Sequence, residues 1–441
     1  MTAMKQERKG PRVLQIAHNH PSFHPGGTEI VALALHREAL AQGFDSWFLG
    51  ALEPDQKIAN PGTQMTALTP DHREAAILFD AFDYFALAQD DHYGGLREFA
   101  FYLRQVRPDV IHVHHILHFG LELFLAIRRN LPDAKIILTL HDYYLVCPNH
   151  GQMFKHQTMR RCSGPTLADC MACFPGRPAA DFVMRRLAIA RALSLVDHLV
   201  APSHFLKTMF ETHLADCPPI TFVENGFVGL GSNRPAGAPC PPCPNHASPP
   251  VFGYFGNISA VKGLADLLEA AEHLDRRGHA GFCLHVHGSQ LFEDAALAGR
   301  IEKAKDRLGD RLRLFGRYEG SDIATHYDAV DHVVFPSLWW ENAPLVIYEA
   351  LHHGKNVIAY PHGGAPEILA RYGTGILARR SDPYALADAM ERILCDGSLA
   401  IDRPPPVPDI KDLLEEMLKL YGKGAKPALQ PVNNALWRAN A

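Results

Sequence analysis

The strongest constraint on this chain is a repeated unit: a short apolar run, a polar or glycine-bearing turn at its end, then a helical pattern. It opens with VLQIA, ending at Ala17, which leads into HNHPSFHPGGTE and a helical stretch from Ile30 to Ala41. DVIHVHH at 109–115 precedes a helix at 120–129, KIILTLHD at 135–142 is another strand, and DHLVAPS at 197–203 precedes FLKTMFETHL. The alternation restarts with VFGYFGN at 251–257, followed by a helix at about 263–275 and the strands FCLHVHGS, RLRLFG, HVVFPS and NVIAYP. Strands that alternate with helices make parallel sheets covered on both faces. The expected fold class is therefore α/β, with two Rossmann-like, doubly wound sheets.

A chain of 441 residues is too long for one ordinary core and suits two domains. Between the two runs of alternation lies GSNRPAGAPCPPCPNHASPP, residues 231–250, proline-crowded and without periodicity, which reads as a semi-rigid connector. The divisions expected are a domain over 1–230, the linker 231–250, a second domain over 251–400, and a C-terminal helix and tail over 401–441. The helix pattern at 409–421 can pack back on the N-terminal domain. Two such sheets side by side would face a shared inter-domain cleft with their strand C-terminal ends, where open α/β sheets bind ligands.

Forty-three Lys and Arg against 48 Asp and Glu leave a net charge of -5, which offers no global attraction to nucleic acid. The first twenty residues lack the apolar core of a signal peptide, and no run approaches a membrane span, so a cytoplasmic protein is expected. The first loop, HPGGTE, lacks the GxGxxG fingerprint of a nicotinamide-dependent oxidoreductase.

The most specific chemistry lies in PSLWWENAPLVIYEALHHGKNVIAYPHGGAPEIL, residues 336–369. Glu341 falls just before a helix and Glu349 eight positions later within it. Pro344 suits the first helical turn, where its missing N–H costs nothing. Eight residues span roughly 12 Å of helix, comparable to the distance from a donor sugar across a diphosphate to a ribose. One carboxylate can take sugar hydroxyls and the other ribose hydroxyls. Between them, the backbone N–H groups of Asn342, Ala343, Leu345 and Val346 form a helix N-terminus that favours phosphate. GNISAVKG at 256–263 ends a strand and opens a helix, so Lys262 can point a positive charge at a diphosphate; the plainer reading is a surface lysine at a helix start.

These segments, with the N-terminal loop and HDYYLVCP, resemble the retaining GT-B glycosyltransferases of family 4 (glycosyl transferases group 1) over nearly the whole chain. The resemblance implies an N-terminal acceptor-binding domain and a C-terminal donor domain. It implies a nucleotide-sugar donor, and Glu341 on the transferred sugar with Glu349 on the ribose. It further implies retention of anomeric configuration during bacterial surface or extracellular polysaccharide synthesis, on a glycan or lipid-linked acceptor. That family often carries Arg five positions before the lysine, and here that position is Asn257. Asn257 favours the competing reading, a catalytically impaired glycosyltransferase-like scaffold or partner subunit; intact Glu341, Glu349 and Lys262 favour the enzyme. No Asp-x-Asp pair follows an apolar strand, so metal-independent catalysis is expected.

Gly26 and Gly27, before Thr28 and Glu29, let backbone approach an anion at the next helix start. His141, at a strand end, can hydrogen-bond the donor sugar or acceptor environment, or be satisfied by backbone alone. Cys147, Cys162, Cys170 and Cys173 cluster in a long loop over 147–173, where four thiolates would fit a structural zinc; unligated thiols or a redox or iron–sulfur role are the alternatives. Arg160, Arg161, Arg185 and Arg186 either form solvated faces or, with a lipid-linked acceptor, make peripheral contact with the inner membrane face.

Overall fold

The computed structural model describes residues 9–53, 56, 62–214, 217–229, 249–289, 294–318, 322–395 and 406–422. The linker expected at 231–250, apart from its last two residues, and the tail after Gly422 lie outside the described residues. The chain divides into two compact units.

The first unit comprises residues 1–152, 163–224 and 410–441. Its sheet has eight strands: β1 (Val13–Ala17), β2 (Ser46–Leu52), β3 (Met65–Ala67), β4 (Glu74–Leu78), β5 (Val110–Val113), β6 (Lys135–Thr139), β7 (His198–Ala201) and β8 (Ile220–Phe222). They lie in the order β8-β7-β6-β5-β1-β2-β4-β3, every pair parallel except β3 with β4. Every residue of β1 and β5 is buried, as a sheet covered on both faces requires. The order turns back at β1 and β5, so the loops after these two strands open side by side at the C-terminal edge of the sheet.

The second unit comprises residues 153–162 and 225–409. Its strands are β9 (Val251–Phe255), β10 (Cys283–His287), β11 (Leu312–Gly316), β12 (His332–Phe335), β13 (Asn356–Ala359) and β14 (Ile376–Leu377). The order β11-β10-β9-β12-β13-β14 is that of dinucleotide-binding sheets, all parallel, with its switch point between β9 and β12. Helix Leu264–Arg276 buries Leu264, Leu267, Leu268, Ala271 and Leu274, a stripe at helical spacing. It packs against helices Ala295–Leu308 and Pro383–Cys395.

These units depart from the sequence divisions at one hairpin. The hairpin Phe154–Lys155/Arg160–Arg161, part of the cysteine-rich loop, belongs to the second unit. Helix Ile410–Gly422 belongs to the first, where its buried Leu413, Leu414, Met417 and Tyr421 make one apolar face and it packs on helix Gly27–Ala41.

Candidate active site

In the second unit, three loops meet at the switch point. The chain leaves β9 at Gly256, makes a single 3-10 turn over Ala260–Lys262, and enters helix Leu264–Arg276 through Gly263 at φ 76°. A Cβ on Gly263 would lie 1.9 Å from the Pro336 carbonyl oxygen, so no other residue fits between this turn and the end of β12. That close approach brings Lys262 to Glu341, with Nζ 2.6 Å from Oε1. Ser337 Oγ (2.8 Å) and Trp339 Nε1 (2.6 Å) donate to the same oxygen. The Glu341 backbone is equally fixed. Its carbonyl accepts from the Gly364 amide at 2.7 Å, and a Cβ on Gly363, at φ 68°, would fall 2.5 Å from that carbonyl oxygen. The HGG turn at 362–364 thus seats a buried carboxylate whose charge is balanced by Lys262.

Helix Leu345–His352 follows, with Pro344 at its N-cap rather than within the first turn. The first helical amides have no partner within the helix and carry its positive dipole end. Glu349 lies one turn further on, half-buried, accepting from Tyr327 Oη at 2.9 Å. Burial raises its pKa to about 7 from the ordinary 4.5, although the Tyr327 bond pulls the other way. Asn257 is exposed, and its carbonyl accepts from Tyr254 Oη. The hairpin 153–162 reaches this region: Arg161 Nη1 donates to Leu338 O (3.0 Å) and its guanidinium lies 5.2 Å from the Trp340 ring, while Trp340 Nε1 donates to Cys162 O.

In the first unit, the loops after β1, β5 and β6 gather ionisable groups. Gly26 caps helix Gly27–Ala41, and a Cβ there would meet Glu29 Oε2 at 2.5 Å. The anion at this helix start is the chain's own Glu29. His18 Nε2 lies 2.9 Å from Glu29 Oε1 as an ion pair. Burial alone would depress the His18 pKa, yet the Glu29 charge raises it; burial alone would raise Glu29, yet His18 holds it at about 2. The His115 ring sits 4.4 Å from that of His18 and bonds Asp142 Oδ2 at 2.7 Å. His141 lines a small cavity of about 20 Å³ with His114, His115, Asp142, Tyr144 and Phe210, room for about one water. Its Nε2 lies 3.2 Å from His114 Nδ1, and burial holds its pKa at about 3.

The four cysteines require a correction. Among the described residues no group of three or more His, Cys, Asp or Glu side chains is placed to hold a metal ion. Cys170 and Cys173 are one turn apart on helix Leu167–Cys173, capped by Thr166, while Cys162 ends the hairpin of the other unit. The loop carries a capped helix and that hairpin. Of the paired arginines, Arg185 is buried and donates to Phe85 O and Tyr144 O, so it is an internal brace.

Sequence reasoning missed His18, Glu29, His114, His115 and Asp142. Their signal was the histidines at the ends of two strands, HNH after β1 and HVHH through β5.

The two parallel sheets define a GT-B architecture. Sucrose-phosphate synthase from Thermosynechococcus elongatus superposes with TM-score 0.62 at 20% identity, covering 93% of this chain and 95% of that one. HepE from Anabaena in complex with UDP and glucose gives 0.60 at 16%, covering 93% and 99%. The model of glycosyltransferase family 4 matches residues 25–227, and that of glycosyl transferases group 1 matches 249–396. The chain belongs to the group 1 glycosyltransferases of the family 4 type. It is similar to the lipopolysaccharide 1,2-N-acetylglucosaminetransferase of Salmonella typhimurium, 24% identical over 287 residues, 64% of this chain. The alignment spans 63% of that relative, less than two thirds of its length.

Proposed function

We propose that the protein is a retaining glycosyltransferase that moves a sugar from a nucleotide-sugar donor to a growing glycan or lipid-linked acceptor in bacterial surface or extracellular polysaccharide synthesis. The observation that carries this reading is the Lys262–Glu341 pair at the β9/β12 switch point, with Glu349 on the helix that follows. Lys262 and the N-terminus of helix Leu345–His352, after Asn342, Ala343 and Pro344, supply positive charge for the departing diphosphate. Glu341 accepts from the sugar hydroxyls and Glu349 from the ribose. The C1–O bond breaks with its electron pair on the diphosphate, the acceptor oxygen bonds C1 on the same face, and its proton passes to the departing diphosphate, retaining configuration. Local cationic charge makes the step independent of a divalent ion. The UDP and glucose seen with HepE, and the lipopolysaccharide named for the Salmonella relative, support the donor and acceptor classes.

The test is turnover of purified protein with a sugar nucleotide and acceptor in excess chelator, with the product anomer read by NMR. Retained configuration at undiminished rate is expected; inversion, or loss of rate restored by magnesium, would overturn the retaining or the metal-independent part.

Peripheral membrane contact is part of the proposal. Helices Leu167–Cys173 and Ala179–Leu193 expose Leu167, Met171, Val183, Met184 and Leu187, with Arg186 and Arg191 exposed nearby. No helix among the described residues is long and apolar enough to cross a membrane. Cosedimentation with anionic vesicles is expected and should be lost in Met184→Glu/Leu187→Glu; equal binding by that variant would remove this face from the proposal.

A further inference from the structure

A buried polar chain crosses the first unit from β6 to His141, and one of its links comes from the C-terminal helix. His112 Nε2 lies 2.7 Å from Thr139 Oγ1, and His112 Nδ1 lies 2.8 Å from Tyr421 Oη. Tyr421 Oη accepts from Gln15 Nε2 at 3.1 Å, and Gln15 Oε1 lies 2.9 Å from His114 Nε2. His114 Nδ1 then meets His141 Nε2 at 3.2 Å. Gln15, His112 and His114 are each at most 1% exposed, and Tyr421 is 5% exposed.

The proton positions follow by elimination. Burial depresses His112 and His141 to about 3 and His114 well below its ordinary value, so all three imidazoles are neutral at neutral pH and each carries one N–H. Tyr421 Oη accepts from the Gln15 amide, and among the described residues the acceptor within reach of its hydroxyl proton is His112 Nδ1 at 2.8 Å. His112 therefore bears its hydrogen on Nε2, donating to Thr139. On the other side, the Gln15 carbonyl oxygen can only accept, so His114 carries its hydrogen on Nε2. Its Nδ1 is then a lone pair, which receives the hydrogen of His141 Nε2. His141 Nδ1 is left as an acceptor.

We infer that Tyr421 is a positioning residue for His141: through Gln15 and His114 it fixes the imidazole as the Nε2–H tautomer, so that Nδ1 accepts a hydroxyl proton rather than donating one. This rests on the reading of His141 as a residue that meets the sugar or acceptor. A group on helix Ile410–Gly422, far along the chain from β5 and β6, thereby sets which hydrogen bond a residue of the first unit's pocket can make. An imidazole locked as an acceptor orients an O–H; the opposite tautomer would repel that proton and seek a carbonyl or phosphate oxygen.

The test is imidazole nitrogen NMR of the full chain labelled with 15N-histidine, comparing wild type, Tyr421→Phe and Gln15→Met. Wild type is expected to show Nε2–H tautomers for His112, His114 and His141. Tyr421→Phe frees the Gln15 amide to rotate and should move the His141 nitrogens toward a mixed tautomer, with kcat lowered roughly tenfold and donor KM unchanged. Gln15→Met should disturb His114 and His141 while His112 keeps its bond to Tyr421. An Nδ1–H His141 in wild type, or a His141 signal unmoved in both variants, would overturn the inference. The tautomer readout does not depend on turnover, so unchanged tautomers with normal activity refute this inference alone. A tautomer shift with no change in kcat instead removes His141 from the reacting site.

Discussion

Glu349 carries the clearest pH signature of the candidate site. Folded, it titrates near 7; as an ordinary glutamate it titrates near 4.5. In its proposed role the charged form accepts the ribose hydroxyls, so donor affinity should fall as pH drops below about 7, and donor binding near that pH should release a proton. Calorimetry in two buffers of different ionisation enthalpy checks this, and Glu349→Gln should abolish the proton release. The stability consequence has the opposite sense. Because the folded state holds this proton up to a higher pH than the unfolded state, the group's contribution to stability is present below pH 4.5 and is lost as pH rises to 7. Glu349→Gln should therefore raise Tm at pH 8 by a few degrees and leave it little changed at pH 4; a lower Tm at pH 8 would contradict burial as the cause. At the same scale, Lys262→Ala leaves the buried Glu341 carboxylate without its cation. It should cost about 100-fold in kcat, while Lys262→Arg should recover part of that loss.

Elements were legible where a pattern is contiguous. Glu341, the HGG turn and the GNISAVKG turn were readable because each lies within one strand–turn–helix unit, where local chemistry dictates the backbone. The reason for Gly263 was not readable: its constraint is the Pro336 carbonyl of a distant strand, 1.9 Å from where a Cβ would sit. Gly263→Ala should destabilise by more than about 2 kcal/mol, combining a positive φ with a backbone clash. Gly278, at φ 90° with nothing within 4 Å of its Cβ position, is the control: Gly278→Ala should cost about 1 kcal/mol. Denaturant midpoints separate the two; equal costs would mean that the Pro336 contact imposes no constraint. The pair His115–Asp142 was unreadable for another reason. It joins side chains from the turns after β5 and β6, and only the adjacency of those strands in the sheet brings them together.

For the molecule as a whole, the alternation of strands and helices made the α/β class and two parallel sheets legible, because helical crossovers leave few other arrangements. The place of the hairpin at 153–162 in the second unit was not. Apolar periodicity at 409–421 shows a helix that must bury a face, with the N-terminal domain as its expected partner; in the structure it packs on helix Gly27–Ala41. Tetrahedral zinc was a composition-level inference; among the described residues no group of three or more His, Cys, Asp or Glu side chains is placed to hold a metal ion.

In the proposed donor site the second unit holds a nucleotide sugar through Lys262, Glu341 and Glu349. Equilibrium binding of UDP-, GDP- and ADP-sugars, without added metal, to the wild type and to Lys262→Ala, Glu341→Ala and Glu349→Ala tests it. One donor should bind the wild type and each substitution should weaken it, with Lys262→Ala also weakening the free nucleoside diphosphate. If no donor binds the intact protein, or if one binds equally well to all three variants, the donor-site proposal falls and the scaffold reading takes its place.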